Sequence, residues 1–151
     1  MLDDTDRRIL RQYQHRPEAG PADLAALAGV TPATCARRLE RLRAAGILRG
    51  NHAVIDWRTL GYEVEVSLRI TLDKTQTRAF DEFMQQARMI PEVIEIQTFL
   101  GRVDVRLSVI ARDMAHYQDI YRSAILALPH MADIEALMHV ARIKTDEVLP
   151  I

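Results

Sequence analysis

Thr34, Arg37, Arg38 and Arg41 recur at i, i+3, i+4 and i+7, a spacing that projects all four from one side of a helix. A guanidinium can donate two hydrogen bonds to the acceptor edge of guanine in the major groove. A threonine hydroxyl can pair with either kind of base-edge group. The chemistry implied is recognition of double-stranded DNA, with Thr34, Arg37 and Arg38 reading bases. Arg41, one turn further on, would grip a phosphate, and Arg43 and Arg49 would add phosphate contacts. A basic helix face is more often a solvated surface than a binding site. The neighbouring elements therefore have to decide.

They favour binding. Cys35, Leu39 and Leu42 form an apolar stripe that would hold the helix down, Cys35 as a buried and inert thiol. Thr31 is a good N-cap, which places it with the DNA-binding set, and Pro32 suits the first helical position. The predicted helix runs from Pro32 to Ala45, with Gly46 as its C-terminal stop. Upstream, Asp3 caps a first helix whose apolar stripe is Leu2, Ile9, Leu10 and Tyr13, while Asp4 and Asp6 suit the positive end of its dipole. A break over 15–21 leads to a short helix over 23–28 and a tight turn at Gly29–Pro32. Downstream, residues 47–55 read as two short strands around Gly50-Asn51, a small wing. Residues 1–56 are thus expected to form a winged helix-turn-helix.

Residues 57–61 read as a linker, after which the pattern changes. Tyr62, Val64, Val66, Leu68, Ile70 and Leu72 alternate with Glu63, Glu65, Ser67, Arg69 and Thr71, the mark of a half-buried strand. A helix is expected over 75–88, strands over 93–100 and 103–111, a helix capped by Asp113 and closed by Pro129, and a last strand over 134–143. The order β-α-β-β-α-β over 62–151 predicts a ferredoxin-like domain with both helices on one face of an antiparallel sheet, making the fold class α+β. A second copy could cover the other face, so a homodimer is expected.

Bulk properties narrow the classes further. The chain has 151 residues, 48% of them hydrophobic, enough for two small cores. Net charge is −1, but residues 1–60 carry +3 and residues 61–151 carry −4, so the first part is the one suited to meet phosphate. A single cysteine permits no internal disulfide, and the N-terminus has no basic segment followed by an apolar one. With no apolar run near the roughly 20 residues of a membrane span, a cytoplasmic protein is expected. The five histidines, at 15, 52, 116, 130 and 139, form no ligand-like pair, so no metal is expected. Asp133, Glu135, Asp146 and Glu147 read as solvated acids. No nucleophile–base set or phosphate-cradling glycine loop suggests an enzyme or a cofactor.

Leu2-Asp3, Asp6, Ile9-Leu10, Leu24-Ala25, the run from Val30 to Leu39, Leu42 and Gly46-Ile47 follow one another in a specific order and spacing. Downstream come Ala53–Asp56, Leu60-Gly61, Pro91–Val93, Gly101–Asp104, Leu128-Pro129 and Lys144. On these residues the chain resembles the Lrp/AsnC family, the leucine-responsive or feast/famine regulators. The resemblance implies a transcriptional regulator whose second domain dimerises, assembles further, often to octamers, and binds a small effector such as an amino acid. The family's Gly-x-x-Asp loop maps onto Gly101, Arg102 and Asp104, where Asp104 could receive an ammonium group. Glu135 and Ala136 stand where the family often has Ser or Thr, and Val105-Arg106 where it commonly has an aromatic residue. Siroheme decarboxylases have a similar architecture and supply the alternative, an enzyme acting on a tetrapyrrole.

Overall fold

A computed structural model describes residues 2–144 and 148–151; Asp146 and Glu147 lie outside the described residues. The chain divides into two compact units, Met1–Val54 with Lys144–Ile151, and Ile55–Ile143. This differs from a boundary at 56 with a second domain running to 151. The C-terminal residues return to the first helix, where the Arg11 guanidinium donates to the Ile151 carbonyl and Gln14 exchanges two hydrogen bonds with the Leu149 backbone.

The first unit holds three helices, α1 (Asp4–His15), α2 (Pro21–Ala28) and α3 (Pro32–Ala44). Each boundary has a local cause. At α1, Asp3 accepts from the Asp6 backbone N–H at 2.8 Å and the Asp6 carboxylate accepts from that of Asp3 at 3.1 Å, a reciprocal capping box. α2 begins two residues earlier than expected, because Pro21 can occupy its first turn. It ends at Gly29, whose φ of 65° is left-handed. Ile9, Tyr13, Leu24, Ala25, Ala28, Cys35 and Leu39 form the core. Cys35 is fully buried, and burial pushes its thiol pKa up.

The expected wing strands do not form: residues 47–55 contain no strand. An isolated two-stranded ribbon is marginal in water, and here Asn51 is otherwise engaged. Its side-chain amide donates to the Tyr13 hydroxyl at 3.0 Å and the Pro17 carbonyl at 3.2 Å. The helix-turn-helix is present without a paired wing.

The second unit contains β1 (Val64–Leu72), α4 (Ala79–Ala87), β2 (Val93–Thr98), β3 (Val105–Ala111), α5 (Met114–Ile120) and β4 (Met131–Met138). A π-helical turn, Tyr121–Ile125, continues α5. The strands form one antiparallel sheet in the order β2-β3-β1-β4. Val66, Leu68, Ile70, Val105, Leu107 and Val109 pack from it against Phe83, Met84, Tyr117, Ile120 and Ile125 of the helices. Alternation turns Glu65, Ser67, Arg69, Arg106 and Ser108 to the opposite face.

Several boundaries differ from the sequence reading: β2 stops two residues early and β3 starts two residues late. Residues 75–78 are a turn, since the Asp73 carboxylate accepts from the backbone N–H and hydroxyl of Thr75. The last strand starts at Met131 and stops at Met138. Met131 pairs with Leu72 across a bulge, and the ladder with β1 ends at the Val66–Met138 pair, followed by one last bond from the His139 N–H to the Glu65 carbonyl.

Candidate nucleic-acid interface and ligand pocket

α3 begins as its sequence requires. The Thr31 hydroxyl accepts from the Thr34 backbone N–H at 3.2 Å and lies 2.9 Å from the Thr34 hydroxyl. Cys35, Leu39 and Leu42 face the interior, which leaves Thr34, Arg37, Arg38 and Arg41 on the outer side.

These arginines are not equivalent. Arg38 donates from one nitrogen to Asp3 at 2.5 Å and to Asp6 at 2.9 Å, and Arg41 donates to the other Asp6 oxygen. The Asp6 side chain is wholly buried and that of Arg38 only 21% exposed. Arg38 is therefore committed to holding α3 against the start of α1, a different position from the open base reader expected. Arg41 is pinned at one end and 55% exposed. Arg43 lies half a turn around α3 from Thr34 and pairs with Glu40 at 2.6 Å, which raises its pKa, so it does not join the outer set. Arg37 and Arg49 are exposed and have no side-chain partner among the described residues. Sequence reasoning missed Asp3 and Asp6 as partners. The available signal was that Asp6 shares the buried stripe of Ile9 and Tyr13, where an acid must be paired.

The cluster is sensitive to acid. The Arg38 hydrogen bond, aided by the Asp6 backbone N–H, holds the Asp3 carboxyl down at about 2, against an ordinary value of 3.8. For Asp6, burial pushes the pKa up, but the Asp3 backbone N–H and the two arginines outweigh it and the net shift is downward. A depressed carboxylate stabilises the folded unit fully above its unfolded value and progressively less as pH falls through the folded one. Helical circular dichroism of the wild type should therefore weaken as pH falls from about 4 toward 2. The loss should begin at higher pH in Arg38→Ala. An identical acid profile in the two proteins would refute this.

In the second unit, Asp104, at the end of the Gly101–Asp104 loop, lines a cavity of about 370 Å³ between the end of β1 and the start of α4. Asp104 accepts from the Leu72 backbone N–H at 2.9 Å and lies 3.2 Å from the Lys74 ammonium. Phe80 and Phe99 provide apolar walls. A Cβ added at Gly101 would meet nothing within 4 Å. The Arg102 carbonyl accepts from the Thr71 hydroxyl at 2.9 Å, while its side chain is exposed. Of the three expected residues only Asp104 lines the cavity, where Lys74, Phe80 and Phe99 join it unforeseen; the Gly101 carbonyl lies 3.5 Å from the Lys74 ammonium, and Arg102 is not among the lining residues. Glu135 and Ala136 do not join them. Glu135 faces Arg69 at 3.8 Å on the helix-free side of the sheet, and Ala136 lines a separate cleft with Tyr117 and Tyr121.

Comparison with known proteins fits both units. Residues 2–43 match the AsnC-type helix-turn-helix domain, and residues 65–149 match the Lrp/AsnC ligand binding domain. The chain belongs to the Lrp/AsnC family. Like its Lrp/AsnC relatives it is a transcriptional regulator with a helix-turn-helix and a ligand-binding domain. The transcriptional regulator AzlB of Bacillus subtilis is 27% identical, over 100% of this chain and 96% of that protein. The proline dehydrogenase transcriptional activator of Rhodobacter capsulatus is 30% identical, over 87% and 86%. Among solved structures, a transcriptional regulator of Neisseria meningitidis in complex with L-Met superposes with a TM-score of 0.92 at 25% identity, covering 99% of this chain and 97% of that one. No helix among the described residues is long and apolar enough to cross a membrane.

Proposed function

We propose that the protein is a sequence-specific DNA-binding regulator that acts as a homodimer and is controlled by an amino-acid-like effector in the second unit. The observation that carries the DNA-binding half is the division of labour on α3. Arg38 and Arg41 fix the helix to α1, and this leaves Arg37 exposed and Thr34 partly exposed on its outer side. Arg37 and Thr34 then read base edges, while Arg41 and Arg49 neutralise phosphates. The helix-free face of the sheet carries Arg69 beside Glu135 and Arg106 beside Glu95, an acid–base–base–acid row across the four strands that reads the same from either edge and suits a second copy of itself.

For the effector, the pocket supplies an anion and a cation 3.2 Å apart, Asp104 and Lys74, beside two phenylalanines. That set complements a zwitterion with an apolar side chain. The L-Met bound by the Neisseria meningitidis regulator is of this class.

The test is a titration of purified protein against duplexes it selects from a random pool, repeated at several salt concentrations. Affinity should fall linearly on a log–log plot, with a slope of about −0.9 for each phosphate neutralised. A flat salt dependence, or failure to select any sequence, would refute the DNA-binding reading. Thermal shifts with a panel of amino acids test the effector. At least one should raise the melting temperature of the wild type, and none should do so in Phe80→Arg, which fills the pocket from a half-exposed position. Equal shifts in both proteins would place the ligand elsewhere.

A further inference from the structure

Glu65 is an acid on the helix-free face of β1, yet its side chain is 0% exposed. A buried carboxylate is costly unless it is paired. Its partners come from two stretches far apart in sequence. On one side lies residue 58: the Arg58 guanidinium stands 3.9 Å from Oε2. On the other lie residues 139 and 142: Arg142 donates to Oε1, His139 Nδ1 stands 3.8 Å from Oε2, and the His139 N–H donates to the Glu65 carbonyl at 3.0 Å. Ser108 donates to Oε1 at 3.3 Å from the neighbouring strand. Oε2 is buried and makes no hydrogen bond among the described residues, so its compensation rests on the nearby Arg58 guanidinium and the His139 ring.

These stretches are the chain's two crossings between the compact units. Residues 55–61 lead from the helical unit into β1, and residues 139–143 lead back to the C-terminal residues counted with that unit. The first is also stiffened locally. Asp56 accepts from the Arg58 backbone N–H at 3.1 Å and the Thr59 hydroxyl at 2.7 Å, and Arg58 stacks over the Trp57 ring. The second has left the sheet by Met138 and has no regular structure of its own.

We infer that Glu65 is a positioning residue, a single buried carboxylate that clasps both connections and thereby restricts the freedom of the DNA-binding unit relative to the ligand-binding unit. A head on a loose tether reaches half-sites at many separations, whereas a head on two clasped segments reaches few. This consequence rests on the DNA-binding reading above. The clasp itself does not.

Amide exchange and DNA selection on the full-length protein test it together. In Glu65→Gln, which keeps the shape and removes the charge, exchange should rise at least tenfold over both 56–61 and 139–143. Core amides such as those of Leu68 and Leu107 should be unchanged. Arg58→Gln should loosen only the first segment and Arg142→Gln only the second, which separates a clasp from general destabilisation. On duplexes selected by the wild type, Glu65→Gln should keep single half-site affinity and lose at least tenfold of its preference for the native spacing over one shifted by half a helical turn. Unchanged exchange in either segment, or loosening that spreads to the core in all three variants, overturns the clasp. Unchanged spacing preference despite loosened segments overturns its positioning role. A wild type that selects no DNA defeats the functional reading alone, because exchange still decides the clasp.

Discussion

Asp6→Ala is expected to open the helical unit, at a cost of about 3–5 kcal/mol. The side chain removed is wholly buried and serves three donors, the Asp3 backbone N–H, Arg38 and Arg41. Its loss leaves the poorly exposed Arg38 guanidinium with Asp3 alone and breaks the capping box that starts α1. Against a typical domain stability of about 5–15 kcal/mol, that is a large share. Cys35 offers a direct reading, because it is the only thiol in the chain and lies fully buried in this unit. Its labelling under conditions where opening is fast should accelerate more than about 100-fold in Asp6→Ala. Asp6→Asn, which keeps one acceptor oxygen, should fall between the two. Wild-type labelling rates in Asp6→Ala would show that the cluster is surface decoration.

What could be read beforehand follows from how local each cause is. α3 was legible because its cap, its first-turn proline, its apolar stripe and its terminal glycine all sit within one short stretch. The core-facing set of β1, Val66, Leu68 and Ile70, was legible in the same way, whereas the burial of Glu65 and Ser67 on its other face was not, because their partners lie far away in sequence. The wing was misread because a glycine-asparagine pair between short apolar runs signals a turn, whereas a ribbon also needs a surface to pack on. Asn51 instead anchors the segment to Tyr13 and Pro17. The extent of β4 is set by its ladder with β1, from Leu72–Met131 to Val66–Met138, a fact of pairing that residues 131–143 do not contain. Lys74 meets Asp104 only because β1 and β3 lie in one register. Glu135 and Ala136 are a plainer case, since neighbours on a strand point to opposite faces and could not both serve one pocket.

The second large effect separates two adjacent arginines. Arg37→Ala should weaken binding to a selected duplex by about 1–3 kcal/mol, roughly fivefold to 150-fold, and relax preference at one base position. Its stability should stay within about 0.5 kcal/mol of wild type, because the side chain is exposed and unpaired among the described residues. Arg38→Ala should do the reverse. It removes the hydrogen bonds to Asp3 and Asp6, lowers the melting temperature of the helical unit, and lets the Asp3 carboxyl rise from about 2 toward its ordinary 3.8. Binding should weaken for all sequences alike, because α3 is then poorly held, with base preference retained. Arg38→Lys should recover little, since the lysine side chain is one atom shorter and its ammonium falls short of the terminal nitrogen that sits between the two carboxylates. Carboxyl titration followed by NMR, set beside selection profiles of both variants, decides the matter. Loss of one base preference in Arg38→Ala at wild-type stability would transfer the reading role from Arg37 to Arg38. The Asp3–Asp6 cluster would then be a resting place that the guanidinium leaves on meeting DNA.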